Sequence, residues 1–320
     1  MRLKNFLFAL LLLAAALYLF NASWLAPTST DKPTLLAHRG VHQTFRTEGL
    51  TATSCTASMI DTPRHDYIEN TLPSMRAAFE AGADVVEIDV HPTTDGHFAV
   101  FHDWTLDCRT DGKGVTREHT LADLKRLDAG YGYTSDGGKT YPLRGKGIGL
   151  IPSLDEVLAA FSDKRFLIHV KSKDREEGAA LARRLSEIPL ERHKQLMVYG
   201  DTVPVEYVKK HLPHLTVGSS SALKSCLIGY IATGWIGRVP ESCRGRLMLV
   251  PANIAPWLWG WPNRFLDRMR QADSQVFILG NYGGDFSSGI DTAADVARLP
   301  PNFNGGIWTN RIESIAPRLR

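Results

Sequence analysis

The chain has 320 residues, 43% of them apolar and 22% charged, the balance of an ordinary globular protein. A net charge of +3 with no dense Lys/Arg block argues against nucleic acid as a partner. The length admits one large domain or two small ones.

The first element is an unbroken apolar run, Phe6 to Phe20, preceded by Arg2 and Lys4. With residues 21–26 added it is long enough to cross a hydrocarbon core of about 30 Å. No small-x-small cleavage site succeeds it, so a signal anchor over 1–26 is expected in preference to a cleaved signal peptide. The positive charges precede the run, which keeps the tail in the cytoplasm and exports the remainder of the chain. A single-pass membrane protein with its folded domain exported results, facing the periplasm if the chain is bacterial. Tyr18 and Trp24 fall where interfacial anchors are expected. Residues 27–34, polar and Pro-containing, read as a tether. Cys55, Cys108, Cys226 and Cys243 suit two disulfides in an exported domain, with three pairings open.

Leu35 to Arg39 predicts the first strand. The segment from Val41 to Ile68 is too long for an ordinary connection and reads as a functional loop or lid. Thr71-Leu72-Pro73 opens a helix, with Thr71 as N-cap, that ends at Gly82. Ala83 to His91 is a strand, and Thr94-Asp95-Gly96 turns the chain back into Phe98 to Phe101. Residues 104–149, rich in Gly, Thr, Asp and Tyr, read as an inserted subdomain. Strands then start near Phe166, Gln195, Thr216, Arg246, Gln275 and Gly306, with helical patterns between them. Together with Leu35 and Val85 these make eight βα units, the expectation for a (β/α)₈ barrel over 35–320; a doubly wound sheet is the alternative.

The chemistry gathers at strand ends. Glu87 and Asp89 stand at i and i+2, which puts both carboxylates on one face and Val86, Ile88 and Val90 on the other. Paired acids on one face are relieved by a divalent cation. His38 and His102 are able to move protons near neutral pH, and Arg39 and Lys171 suit a phosphate. Since strand C-termini of a barrel converge on one mouth, His38, Glu87, Asp89, His169, Lys171 and Trp308 form one predicted site. Neither Gly-x-Ser-x-Gly nor His-Glu-x-x-His is present to support acyl or zinc-protease chemistry. Trp257, Trp259 and Trp261 fall in a loop after the sixth barrel strand, where core packing, an interfacial loop and a substrate wall are all open readings.

His38-Arg39-Gly40, Glu69-Asn70-Thr71, Glu87-Ile88-Asp89-Val90, Thr94-Asp95-Gly96 and His102-Asp103, in this order, resemble the glycerophosphodiester phosphodiesterase family. The resemblance extends to Gly306–Asn310 and implies a (β/α)₈ barrel with an insertion after the second strand. It implies hydrolysis of small-molecule glycerophosphodiesters to sn-glycerol 3-phosphate and an alcohol. It also implies a divalent metal, Ca²⁺ or Mg²⁺, on Glu87 and Asp89, with His38 and His102 as the acid/base pair and Arg39, Lys171 and Trp308 toward the substrate. Glu69 reads as a metal neighbour or a further ligand.

The chain departs from the family at one position. Where the family carries Glu-x-Lys on its third strand, this chain has His169-Val170-Lys171. An imidazole in place of the third carboxylate leans the site toward Mn²⁺, Co²⁺ or Zn²⁺. Two other activities stay open: lysophospholipase D-like action on membrane lysophospholipids, and a barrel that binds phosphodiesters or lipid headgroups without turnover.

Overall fold

The computed structural model describes residues 2–27, 31–46, 49–50, 54–283 and 288–320. Nine strands are present among them: β1 (Thr34–His38), β2 (Val85–Pro92), β3 (Phe98–Val100), β4 (Arg165–Val170), β5 (Leu196–Gly200), β6 (Thr216–Ser219), β7 (Leu247–Pro251), β8 (Gln275–Leu279) and β9 (Gly306–Thr309). Eight run parallel in the order β6-β5-β4-β2-β1-β9-β8-β7, and β3 folds back on β2 as an antiparallel hairpin. A parallel bridge between Val217 and Arg246 brings the two ends of that order together. The result is a nearly closed (β/α)₈ barrel, with its strands near the places the sequence predicts.

Side-chain alternation explains why the sequence closes this way. Leu36, Val85, Leu167, Met197, Leu247, Phe277 and Trp308 pack together as the inner core. Their strand neighbours Leu35, Ala37, Val86, Ile88, Phe166, Ile168, Val198 and Met248 belong instead to the layer shared with the helices. Two residues on from the inner core, toward the C-terminal ends, the same inward face carries His38, Glu87, His169 and Tyr199, and two further on Asp89. The period of two thus delivers the polar residues to the mouth.

The helices start where their caps say. Thr71 accepts from the amide of Ser74 and opens Leu72–Glu80, and Ser153 with Glu156 forms a capping box at Leu154–Ala160. The long segment after β1 and the insertion turn out to be one unit. Ala57, Ile60 and Ile68 share a second core with Leu106, Leu124, Ala129, Tyr133 and Leu143, and the Cys55–Cys108 disulfide joins the two stretches. The segment is therefore packed scaffolding over its described part and not a free lid; residues 47–48 and 51–53 of it lie outside the described residues. The second disulfide is Cys226–Cys243.

An apolar helix, Arg2–Asn21, precedes the barrel, and its length from Leu3 to Phe20 is largely uncovered by the rest of the protein. The expected tether begins later than the contact it was meant to separate. Asn21, Ala22 and Ala26 are already buried against the barrel. Residues 28–30 of that tether lie outside the described residues.

Candidate active site

At the end of β1 the chain must turn sharply to leave His38 facing inward. Arg39 adopts φ +59° and Gly40 φ +80°. The left-handed region costs an arginine on the order of 1 kcal/mol, and three hydrogen bonds hold it there. Arg39 N–H donates to the Glu87 carbonyl, while the Arg39 carbonyl accepts from the Asn70 amide and the Ser74 hydroxyl, each at 3.0 Å. A Cβ on Gly40 would lie 2.2 Å from Ser74 Oγ and 2.8 Å from its backbone carbon, so only glycine fits.

Register then assembles the acids. His38 stands opposite Glu87, and Asp89 opposite His169. Glu87 and Asp89 are both fully buried. Glu87 Oε1 accepts from the Tyr199 hydroxyl at 2.7 Å, but Oε2 has no hydrogen-bond partner and lies 3.7 Å from His38 Nε2. Asp89 is gripped from several sides. Asn70 Nδ2 donates to Oδ2 at 2.9 Å, the Asp89 amide donates to Asn70 Oδ1, and Lys171 Nζ and His169 Nδ1 lie 3.3 and 2.9 Å from Oδ1. Burial, and after it the charge of Asp89, pushes the Glu87 carboxyl well up. Burial works the same way on Asp89, yet Lys171, His102 and Arg39 hold its carboxyl well below the usual range.

These features fit a cation. Glu87, Asp89 and His169 offer ligand atoms all within 4.8 Å of one another. Two unit charges at that separation repel by about 3–4 kcal/mol at an effective dielectric near 20. A divalent ion would remove that repulsion and give the orphaned Glu87 oxygen a partner. Burial, then Lys171, pushes the His169 imidazole down to about 4, so it is neutral, as a ligand must be. Tyr199 stacks on it at 4.3 Å. Glu69 sits apart from this group: its two oxygens accept from Arg39 and Arg109 at 3.1 and 3.0 Å. The structure thus gives Glu69 the part of an ion-pair hub.

The two histidines have different partners. Asp291 is an acceptor, so the Asn310 Nδ2 that donates to it at 2.7 Å leaves Asn310 Oδ1 facing His38. His38 Nδ1 must then carry the proton it shares with that oxygen at 2.6 Å, and Nε2 is left with a free lone pair. Burial first, and Arg39 second, keep this imidazole neutral, well below its usual pKa. His102 Nδ1 instead meets the carboxylate of Asp103 at 2.6 Å. Arg109 Nε donates to the other Asp103 oxygen at 2.9 Å, which with the Glu69 contact ties the inserted unit to the mouth. Trp308 is 1% exposed and lies 4.8 Å beneath His38 ring to ring. It shapes the floor under His38 and offers no open surface to a substrate.

Sequence reading missed Asn70, Arg109, Tyr199, Asp291 and Asn310 as site residues. Asn70 and Asn310 lay inside the family motifs and carried a signal; Tyr199 and Asp291 had none, since their partners are remote in sequence. A cavity of about 1110 Å³ opens beside Asn310 and Asp291, walled also by His42, Phe45, Trp261 and Ile290. It adjoins the cluster of acids without containing it.

Known proteins resemble this chain in sequence and in fold. The model of the Glycerophosphoryl diester phosphodiesterase family matches residues 38–201. A glycerophosphodiester phosphodiesterase of Caldanaerobacter subterraneus is 34% identical over 157 residues, 47% of this chain and 60% of that protein. Another from Bacillus subtilis is 40% identical over 114 residues, 34% of this chain and 38% of that protein. The chain therefore spans less than two thirds of the length of either relative. Among solved structures, a glycerophosphoryl diester phosphodiesterase domain from Mycobacterium tuberculosis superposes with a TM-score of 0.65 at 17% identity, over 91% of this chain and all of that one. An Oleispira antarctica phosphodiesterase in complex with the product sn-glycerol-3-phosphate gives 0.56 at 20% identity, over 88% of this chain and 94% of that one. These two share the fold. Lysophospholipid cleavage and headgroup binding without turnover gain no support from any of these relatives. The chain belongs to the glycerophosphoryl diester phosphodiesterase family.

Proposed function

We propose that the protein hydrolyses glycerophosphodiesters to sn-glycerol 3-phosphate and an alcohol, with Glu87, Asp89 and His169 holding one divalent cation. The observation that carries the reading is the pair of differently partnered imidazoles beside a buried carboxylate with an unpartnered oxygen. The family match and the product named in the Oleispira structure support the substrate class. When bound, the cation supplies charge neutralisation at the phosphoryl oxygens and orientation of the diester.

His38 serves as general base. Its free Nε2 takes the proton of the attacking hydroxyl, which belongs to water or to the glycerol hydroxyl next to the phosphate. As the new P–O bond forms, the P–O bond to the alcohol breaks, and His102 gives its proton to the departing oxygen. Where the glycerol hydroxyl is the attacker the product is a cyclic phosphate, which water opens in a second step that breaks the new ring P–O bond and yields sn-glycerol 3-phosphate. Burial, and after it Arg39, lowers the pKa of His102; the hydrogen bond to Asp103 works against them, toward the protonated form that this task requires. Arg39 and Lys171 contact the phosphate oxygens as charge builds on them. Asp291 and Asn310 orient His38 without touching the substrate.

The apolar helix is read as a membrane span and the barrel as exported, which suits the two disulfides. The test is choline release from glycerophosphocholine by the full chain with added divalent ions. Turnover should fall by about 10²–10⁴-fold in His38→Ala and in His102→Ala. Full activity in both variants would remove the assignment.

A further inference from the structure

The end of the apolar helix is built into the barrel. Asn21 Nδ2 donates to the Trp235 carbonyl at 2.8 Å, and Asn21 Oδ1 accepts from Arg268 Nη1 at 3.0 Å. Arg268, 7% exposed, also donates to Tyr230 Oη and the Gly234 carbonyl and lies over the Phe20 ring. Ser23 Oγ accepts from the Asn263 amide at 2.9 Å. Two further bonds tie the tryptophan loop to the same knot: Tyr230 Oη donates to the Trp259 carbonyl, and Trp259 Nε1 donates to the Ile231 carbonyl. No slack separates helix from barrel.

Around this knot lies a collar of uncovered apolar side chains. Trp24, Ile228, Trp235, Ile236, Trp257 and Trp259 are between 41% and 71% exposed. Trp235 and Trp259 have their indole N–H groups already bonded to backbone carbonyls, so what they offer outward is ring surface. At about 1.5 Å per residue, the 19-residue span Leu3–Asn21 covers roughly the thickness of a hydrocarbon core. If the helix fills that core, Asn21 sits at the interface, and residues bonded to it sit there too.

We propose that the collar is a membrane-contact surface: the barrel lies on the bilayer through these residues, fixed to the end of its own span. The occupant is lipid and not a protein partner, because the patch continues from a helix whose apolar length is exposed over nearly all of Leu3 to Phe20. This inference rests on the membrane-span reading and leaves the catalytic one untouched.

Carbene footprinting tests it. The full-length protein is placed in phosphatidylcholine nanodiscs containing a trace of phosphatidylcholine with a diazirine at the glycerol end of one acyl chain. After illumination, labelled residues are mapped by mass spectrometry. Trp104 and Ile148, exposed apolar residues of the inserted unit, are internal controls. Residues 228–236 and 257–259 should be labelled severalfold above both controls. Label on the helix with collar residues at control level would overturn the proposal while keeping the span. Lack of label on helix and collar alike would overturn both, and neither result bears on diester turnover in detergent.

Discussion

His38 and His102 look equivalent in the sequence, and their partners separate them. The Asn310 amide leaves His38 Nε2 free, which suits the proposed base. His102 faces the Asp103 carboxylate, which opposes the lowering of its pKa by burial and Arg39. The distinction predicts opposite responses to the leaving group. A diester of glycerol phosphate with p-nitrophenol needs little proton donation, so His102→Ala should recover most of its loss on that substrate. His38→Ala should recover none; equal recovery in both would mean that the assigned roles are wrong. Asn310→Leu should lower kcat, with KM little changed, because it frees the tautomer without touching the diester. His169 stands where the resemblance to the family leads one to expect a carboxylate. His169→Glu should shift metal preference from Mn²⁺, Co²⁺ or Zn²⁺ toward Ca²⁺ or Mg²⁺, and His169→Ala should weaken metal affinity by at least about tenfold. Unchanged preference and affinity in both variants would show that His169 is no ligand. The acid pair was legible because strand alternation alone puts Glu87 and Asp89 together. Tyr199 and Asn310 were not, because they reach Glu87 and His38 from 112 and 272 residues away.

At the scale of elements, the inserted unit reaches Asp103 and Glu69 through the side chain of Arg109. Arg109 follows Cys108 and donates to Thr56, which follows Cys55, so the disulfide closes next to the arginine that holds Asp103 and Glu69. Loop closure over 53 and 17 residues stabilises the fold by about 4 and 3 kcal/mol in the chain-entropy picture. Similar stability losses are therefore expected for Cys55→Ser/Cys108→Ser and Cys226→Ser/Cys243→Ser. Their activities should differ: below the unfolding transition, the first pair should lower kcat and the second should not. Melting curves and turnover at one temperature check this, and equal kcat in the two would detach the inserted unit from catalysis. Arg109→Met takes the arginine from Asp103 and one of the two arginines from Glu69, and should destabilise by about 3–5 kcal/mol. The insertion was legible as a break in periodicity, and the first helix start of the barrel as a cap at Thr71. The union of residues 41–68 with the insertion was not, since their shared core is assembled from scattered Ala, Ile and Leu with no repeat to betray it.

Across the whole molecule, eight barrel strands were readable because each is short, apolar and followed by a helix signal. The docking of the apolar helix was not readable, because it depends on Arg268, Tyr230 and Trp235 meeting Asn21 in space. All the polar residues of the mouth serve one claim, that a divalent cation between Glu87, Asp89 and His169 supports hydrolysis of a glycerophosphodiester. The measurement that tests it most directly is phosphorus NMR of glycerophosphocholine incubated with the full-length protein, stripped of metal and then titrated with single divalent ions. The signal of sn-glycerol 3-phosphate should grow only when a divalent ion is present, vanish with chelator, and be absent in Glu87→Gln. Equal turnover with and without chelator, or no turnover with any of Ca²⁺, Mg²⁺, Mn²⁺, Co²⁺ and Zn²⁺, would contradict it.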